Sequence, residues 1–472
     1  MRAIQTLAFF WHGLFQIPKS MTIKNILILI TFILFAKSES TNAQKQWTLE
    51  ECIEFALQNN LDIESQKITT ESQKESLTQS KRNLLPGIGA NTNYGINFGK
   101  SVDPNTNDVV YKSFASNSYS LSGSVALFQG FIKANRIAYN RFIYLAGIED
   151  ERNLKVEIGF NVMDAFHNTL YYKGLLDIVK QQKELSELNL DKIKKQVEVG
   201  LSAKTDLLEV EARLADEELQ VIRTENGLKA SLLELKKAMN YPVSEQLELM
   251  EISNSDFIQQ PVFENSDSVF ALALNSLPLV RAKMLQLKAV EKALAISKGS
   301  LYPSLNLSGG YYTGYYETNK DGNGNPISFK NQFKNNASQS IGLSLSIPIF
   351  NQWNVRSQVK QYKLNLEKEK TDLQNFKNQL YYEIESYCQD LASASAEYLQ
   401  AKKQVESNEL AFDVAQKKKE QGMFNIIDLY TSKNLLSNAQ SELLRTKLLY
   451  LLKKKTLDFY MGIPVFPIET LK

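Results

Sequence analysis

The chain has 472 residues, 54 Lys and Arg against 52 Asp and Glu, and a formal charge of +2, which leaves no electrostatic footprint for a nucleic-acid partner. Its 21 Gly and 11 Pro are few for this length and favour long helices over a loop-rich all-β fold. The two His (His12, His167) and two Cys (Cys52, Cys388) supply no zinc-ligand spacing and accompany no Gly-x-Ser-x-Gly elbow; no enzyme, metal site or cofactor is expected, and His167 reads as structural.

Residues 1–43 read as a presequence. Lys24 and the 11-residue apolar run Ile26–Ala36 lead to Thr41, Asn42 and Ala43, with signal cleavage expected between Ala43 and Gln44. The run is too short for a membrane-spanning helix, which takes about 20 apolar residues. Met21 stands where such a signal should begin, so residues 1–20 are either an over-called start or an extension. An exported chain without a transmembrane helix is expected.

The rest is one unit written twice, over 44–250 and 265–472, with a linker at 251–264. Ala56-Leu57-Gln58-Asn59 matches Ala273-Leu274-Asn275-Ser276, and Pro86 matches Pro303, both at an offset of 217. Leu127-Phe128 matches Ile349-Phe350, Gly200 matches Gly422, Asp206 matches Asp428, and Pro242 matches Pro464, all at 222. The single change of five residues falls between the paired prolines and the paired phenylalanines, which puts the variable part of that interval in a loop.

In chain order, each unit opens with a short helix, signalled in the first by the capping box of Thr48 and Glu51. A helical stretch then runs to the proline, where the period changes to two. Strands are expected at about 88–98 and 115–128, and again at about 305–315 and 338–350. One face of the second strand of each pair carries Ser118, Ser120, Ser122 and Ser124, or Ser340, Ser344 and Ser346; the other is apolar. These serines are the candidate lining of a wet lumen. About 10 residues suffice for a tilted strand to cross a bilayer, and Tyr94, Phe98, Tyr119 and Tyr311–Tyr316 fit an interfacial aromatic belt. A half-buried soluble hairpin shows the same alternation, but the signal peptide, the small uncharged face and the aromatic clusters favour lipid.

Polar loops join the strands, at Gly99–Phe114 and Glu317–Lys334. The run Asn319–Gly324 looks like the start of an EF-hand loop, yet Lys330 stands where the bidentate Glu should be; a turn-rich loop is expected. Long helices follow, at about 131–199 and 353–421. In the second, Val355, Val359, Tyr362, Leu366, Leu373, Phe376, Leu380, Ile384, Tyr387 and Leu391 form a coiled-coil-like seam. Gly200 and Gly422 end these helices as left-handed caps, and shorter helices return to Pro242 and Pro464. Lys417-Lys418-Lys419, near one turn, reads as a solvated face.

Four transmembrane strands cannot close a barrel alone, and open edges are intolerable in lipid. Several copies must therefore share one barrel, continued by a helical tube. Trp47–Asn60, the strand ends Leu127–Gly130 and Ile349–Gln352, and Val199–Leu208, in duplicate and in order, resemble the TolC-type outer-membrane efflux family over about residues 47–466. The resemblance implies a mostly α fold with a small membrane β-barrel: a homotrimer with a 12-stranded barrel in the outer membrane of a Gram-negative bacterium and an α-helical tunnel through the periplasm. It implies a passive channel for efflux or type I secretion, served by a periplasmic adaptor (membrane fusion) protein and an inner-membrane pump of RND or ABC type. It assigns Gly200, Leu201, Ser202, Gly422, Met423 and Phe424 to tunnel tips where the adaptor docks, and Asp428 to a pore constriction. Asp428 has a second reading as the third residue of a helix capped by Asn425. Thr431 stands where some members carry a second acid, and the chain ends soon after Pro464. A soluble periplasmic coiled-coil adaptor or scaffold is the alternative; it explains the rods but not the strands.

Overall fold

Pro86 and Pro303 follow the last turn of a helix in each unit, because proline has no amide to donate and its ring clashes within a helix. The computed structural model describes residues 46–102, 107–111, 113–250, 265–421, 423 and 426–466. The presequence with its cleavage site and the 251–264 linker lie outside the described residues, as do Gly422, Phe424 and Asn425.

Two short strands form a small unit of their own: β1 (Gln46–Trp47) pairs in parallel with β6 (Glu248–Leu249). In the main unit, the first repeat contains α1 (Leu49–Asn59), α2 (Leu61–Arg82), β2 (Gly87–Asn97), the small hairpin β3 (Lys100–Val102) and β4 (Val109–Tyr111), β5 (Phe114–Gln129), α3 (Ile132–Glu198) and α4 (Lys204–Met239). The second contains α5 (Ser266–Ser276), α6 (Pro278–Gly299), β7 (Ser304–Tyr316), the short helix α7 (Phe329–Asn335), β8 (Ser338–Ser346), α8 (Asn354–Glu420) and α9 (Ile426–Tyr460). The Thr48 box closes as its sequence dictates, with Glu51 N donating to Thr48 Oγ1 at 3.2 Å and Thr48 N to Glu51 Oε2 at 3.1 Å.

The four long strands form one antiparallel sheet in the order β2-β5-β7-β8. The duplication is exact in register: the offsets 217 and 222 carry the Gly87–Ser124 pair of β2 and β5 onto Ser304–Ser346 of β7 and β8, and Asn91–Ser120 onto Ser308–Gly342. The extra five residues lie between β7 and β8, in the loop that holds α7. β8 ends at Ser346, short of the expected 350. Pro348, which cannot donate to a ladder, stops it.

Strand becomes helix through a pair of left-handed residues in each repeat, Gly130 and Phe131 (φ 54° and 62°) or Gln352 and Trp353 (57° and 64°). Gly130 could be nothing else, because a Cβ there would lie 2.1 Å from the carbonyl oxygen of Gly299.

α3 and α8 have 67 residues each, on the order of 100 Å of helix. Helices neighbour one another in two layers, α2-α3-α6-α8 and α4-α3-α9-α8. The α8 seam residues are all buried or half-buried, with Leu380, Ile384 and Leu391 joining α5 and α9 in the main core with Val269, Ala273, Tyr450 and Leu457. No single described helix is long and apolar enough to cross a membrane; α5 and α6 pass that test together but are bent by 58°. Cys52 and Cys388 are not joined in a disulfide.

Candidate functional site

Directly opposed residues in an antiparallel sheet point to the same side, so the registers assign every strand residue to a face. Ser118, Ser120, Ser122 and Ser124 oppose Asn93, Asn91, Gly89 and Gly87 on one side and Gly314, Tyr312, Gly310 and Ser308 on the other. Ser340, Ser344 and Ser346 oppose Gly310, Asn306 and Ser304. All seven candidate serines thus fall on one face of one sheet, among Gly, Asn, Ser and Tyr312. The opposite face carries Ile88, Thr92, Ile96, Leu121, Val125, Leu307, Ile341, Leu343 and Leu345. Neither set holds a charged residue, and the large apolar side chains at both sheet edges are exposed.

The aromatic belt needs a correction. Alternation splits Tyr311–Tyr316, because Tyr311 and Tyr315 share the apolar face with Tyr94 and Tyr119, whereas Tyr312 and Tyr316 oppose Ser120 and Ser116 on the small polar face. The Tyr312 ring lies against Gly310, where a Cβ would meet it at 2.6 Å. A β-bulge between Ala126 and Phe128 hands the apolar face from Leu127 to Phe128, which opposes Leu305.

Sheet and helix layers have matching free edges. β2, α2 and α4 end them on one side, and β8 and α8 on the other. Exposed apolar residues mark both sides, among them Ile68, Leu219 and Ile222 on the first and Leu364, Tyr382 and Leu410 on the second.

At the turn after α3, Gly200 adopts φ 76°. Leu201 N donates to Gln196 O at 2.7 Å and Gly200 N to Val197 O at 3.1 Å, the pair of bonds that defines a Schellman motif. Met423 N donates to Lys418 O at 3.0 Å, the same bond moved by 222 residues. Val199, Leu201 and Met423 are exposed, and Ser202 Oγ bonds Gln196 Oε1 at 3.2 Å. Asp428 and Thr431 lie on the exposed side of the first turns of α9. On the other side Tyr430 packs against Ile193 and Val210, binding α9 to the α3–α4 hairpin.

Next to it lies a cluster that sequence reasoning missed. Lys433 Nζ, buried, donates to Gln182 O and to Ser186 Oγ of α3, and pairs with Glu217 of α4. Burial pulls its ammonium below the usual lysine value, and Glu217 opposes that shift. Nothing local in the sequence distinguishes Lys433 from the solvated lysines around it. The lysine run is also not uniformly solvated: Lys417 pairs with Asp413 at 2.6 Å in the open, but Lys419 is half-buried and lowered by that burial, with Asp206 opposing and Lys192 adding to the shift.

Among the described residues no three His, Cys, Asp or Glu cluster as a metal site. Asp321, in the EF-hand-like run, accepts from the amides of Asn323 and Asn325 at 2.9 Å each, the hydrogen bonding of a turn.

Comparison with known proteins agrees with this geometry. The family described as outer membrane efflux protein matches residues 52–241 and 269–463, one stretch in each repeat. The outer membrane protein TolC of Vibrio cholerae is 26% identical over 443 residues, covering 90% of this chain and 93% of that one. The alkaline protease secretion protein AprF of Pseudomonas aeruginosa is 22% identical over 330 residues, 69% of this chain and 66% of its own. Among solved structures, the Campylobacter jejuni CmeC outer membrane channel aligns with a TM-score of 0.77 at 16% identity, over 88% of this chain and 85% of that one. VceC of Vibrio cholerae gives 0.74 at 13%, over 88% and 96%. The chain belongs to the outer membrane efflux protein family, and is an outer-membrane channel for efflux or secretion.

Proposed function

We propose that three copies of this chain close a 12-stranded barrel whose lumen is the serine face, continued by a helical tunnel, as the passive exit of a tripartite efflux or type I secretion system. The joint between the two repeats carries this reading. Within the chain, β5 pairs with β7, and α3 packs on α6 and α9. Moving each element to its counterpart in the other repeat turns these contacts into β8 on the next copy's β2, and α8 on the next copy's α2 and α4. Those are the free edges. Pairing them removes the unsatisfied backbone that lipid does not tolerate and covers the exposed apolar stripes. A head-to-tail joint of this kind closes as a ring.

A periplasmic adaptor docks on the tips of the helical hairpins, at Gly200, Leu201 and Ser202 with Gly422, Met423 and Phe424, and an inner-membrane pump of RND or ABC type supplies the energy. The names of relatives bear on this reading: AprF is a secretion protein, and CmeC is an outer membrane channel. A soluble adaptor would leave the exposed apolar strand face without a purpose. Cleavage between Ala43 and Gln44 precedes assembly. The experiment is native mass spectrometry of the envelope-purified protein in detergent, where three mature chains are expected and a stable monomer would overturn the shared barrel.

A further inference from the structure

The loop between β7 and β8 folds α7 back onto the apolar face of the sheet. The Gln332 side chain, 1% exposed, anchors it. Its amide nitrogen donates to Tyr316 O at 2.9 Å and Ile327 O at 2.8 Å, and its oxygen accepts from Tyr316 N at 3.0 Å and Asn319 Nδ2 at 3.3 Å. Thr313 Oγ1 donates to Phe333 O at 2.6 Å, and Asn336 Nδ2 to Gly314 O at 2.8 Å. On the same side the Phe333 ring meets Tyr119 at 5.4 Å, and Phe329 meets Tyr315 at 5.7 Å. Tyr119, Thr313 and Tyr315 all belong to the Leu121–Ile341 face. A seven-residue helix is therefore fixed on the lipid side of the wall, at the strand ends away from the long helices.

This helix exposes an apolar pair and a basic pair. Phe329 and Phe333 remain 46% and 37% exposed. Lys330 and Lys334, one turn apart on the adjacent flank, are exposed, and among the described residues neither meets a carboxylate. The two acids of the loop are occupied, Glu317 by the amide of Ala115 and Asp321 by its own turn. Rings at the headgroup level with ammonium groups beside them are the composition of an interfacial anchor to an anionic surface.

We infer that α7 is a lipid-headgroup site on the outside of the barrel, in which Lys330 and Lys334 bind the phosphates of the outer-leaflet lipid A and Phe329 and Phe333 insert beside its acyl chains. The outer leaflet is assigned because the helices leave the other ends of the strands toward the periplasm. This rests on the proposed barrel with the serine face inward.

The test uses the full mature chain in phosphatidylcholine nanodiscs, titrated with bisphosphorylated lipid A and read by native mass spectrometry of bound lipid. Each lysine near an anionic surface is worth about fivefold in affinity, so K330Q/K334Q should weaken lipid A binding on the order of 25-fold, while K330R/K334R keeps it. Unchanged binding by K330Q/K334Q, or equally tight binding of phosphatidylglycerol by the parent, overturns the site. Labelling of Ser122→Cys and Leu343→Cys by a water-soluble maleimide reports separately on which face is inward; reaction at position 343 alone would refute the barrel orientation instead.

Discussion

Lys433 Nζ and Glu217 Oε1 meet at 3.0 Å between α9 and α4, where the lysine side chain is 1% exposed and the glutamate 18%. The ammonium has three donors, and all three are used, since Gln182 O at 2.5 Å and Ser186 Oγ at 2.7 Å take the others. This one lysine fastens the second repeat's returning helix to both helices of the first repeat's hairpin. Lys433→Met should destabilise the chain by about 2–4 kcal/mol, because it leaves a partly buried carboxylate without its partner. Glu217→Gln should cost less, since two acceptors remain. Chemical unfolding of both single variants and the double variant gives the coupling, expected at about 1–3 kcal/mol; additive effects would mean that the pair is incidental.

The assembly proposal fixes a register as well as an edge. Ser122 opposes Gly310 across the joint of β5 and β7. The offsets 222 and 217 carry that pair to Ser344 and Asn93 of the neighbouring copy. Ser344→Cys with Asn93→Cys should give disulfide-linked dimers and trimers on a non-reducing gel, and each single variant should give none. A ladder that appears instead with cysteines at Ser344 and Asn91 would shift the pairing by two residues and break the equivalence of the joints.

What could be read in the sequence is what depends on local pattern. The offsets, the switch from helical period to alternation, the α8 seam and the glycine cap at Gly200 each follow from neighbours along the chain, and the structure has these features. The split of Tyr311–Tyr316 between two faces follows from the same period of two, since alternate residues of one strand point to opposite sides. Lys433 and α7 were not legible. Lys433 is distinguished by Glu217, 216 residues away, and α7 by Gln332 reaching the backbone of Tyr316. Both depend on a juxtaposition that no periodicity encodes.

His167 gives a pH dependence with a definite sign. Its ring is buried, and Nδ1 lies 2.8 Å from Met163 O, an acceptor, so Nδ1 carries the proton of the neutral form. Burial lowers its affinity for a second proton, with Lys455 nearby adding to that effect and the Met163 bond opposing it. Below pH 6.5 the unfolded chain therefore binds a proton that the folded chain does not, and stability falls as pH drops toward the folded value. Thermal melting of His167→Gln beside the parent, at pH 8 and pH 5, should show a smaller acid loss in the variant. Equal losses would assign the acid sensitivity to other groups.

Asp428 is the last position to test, because two roles meet in one carboxylate. It lies in the first turn of α9, where the positive helix end favours an acid by about 0.3–1 kcal/mol. It is also exposed, on the side of α9 away from Tyr430 and Lys433. In the proposed trimer, symmetry repeats it around the axis, and rings of carboxylates select cations. Asp428→Asn removes the charge and keeps a polar side chain of the same size. Planar bilayer recordings should then show a lower cation preference and weaker block by multivalent cations, while the trimer melts within about 1 kcal/mol of the parent. Selectivity and block equal to the parent's would leave Asp428 as a helix-end acid alone, and the constriction would have to lie elsewhere along α9.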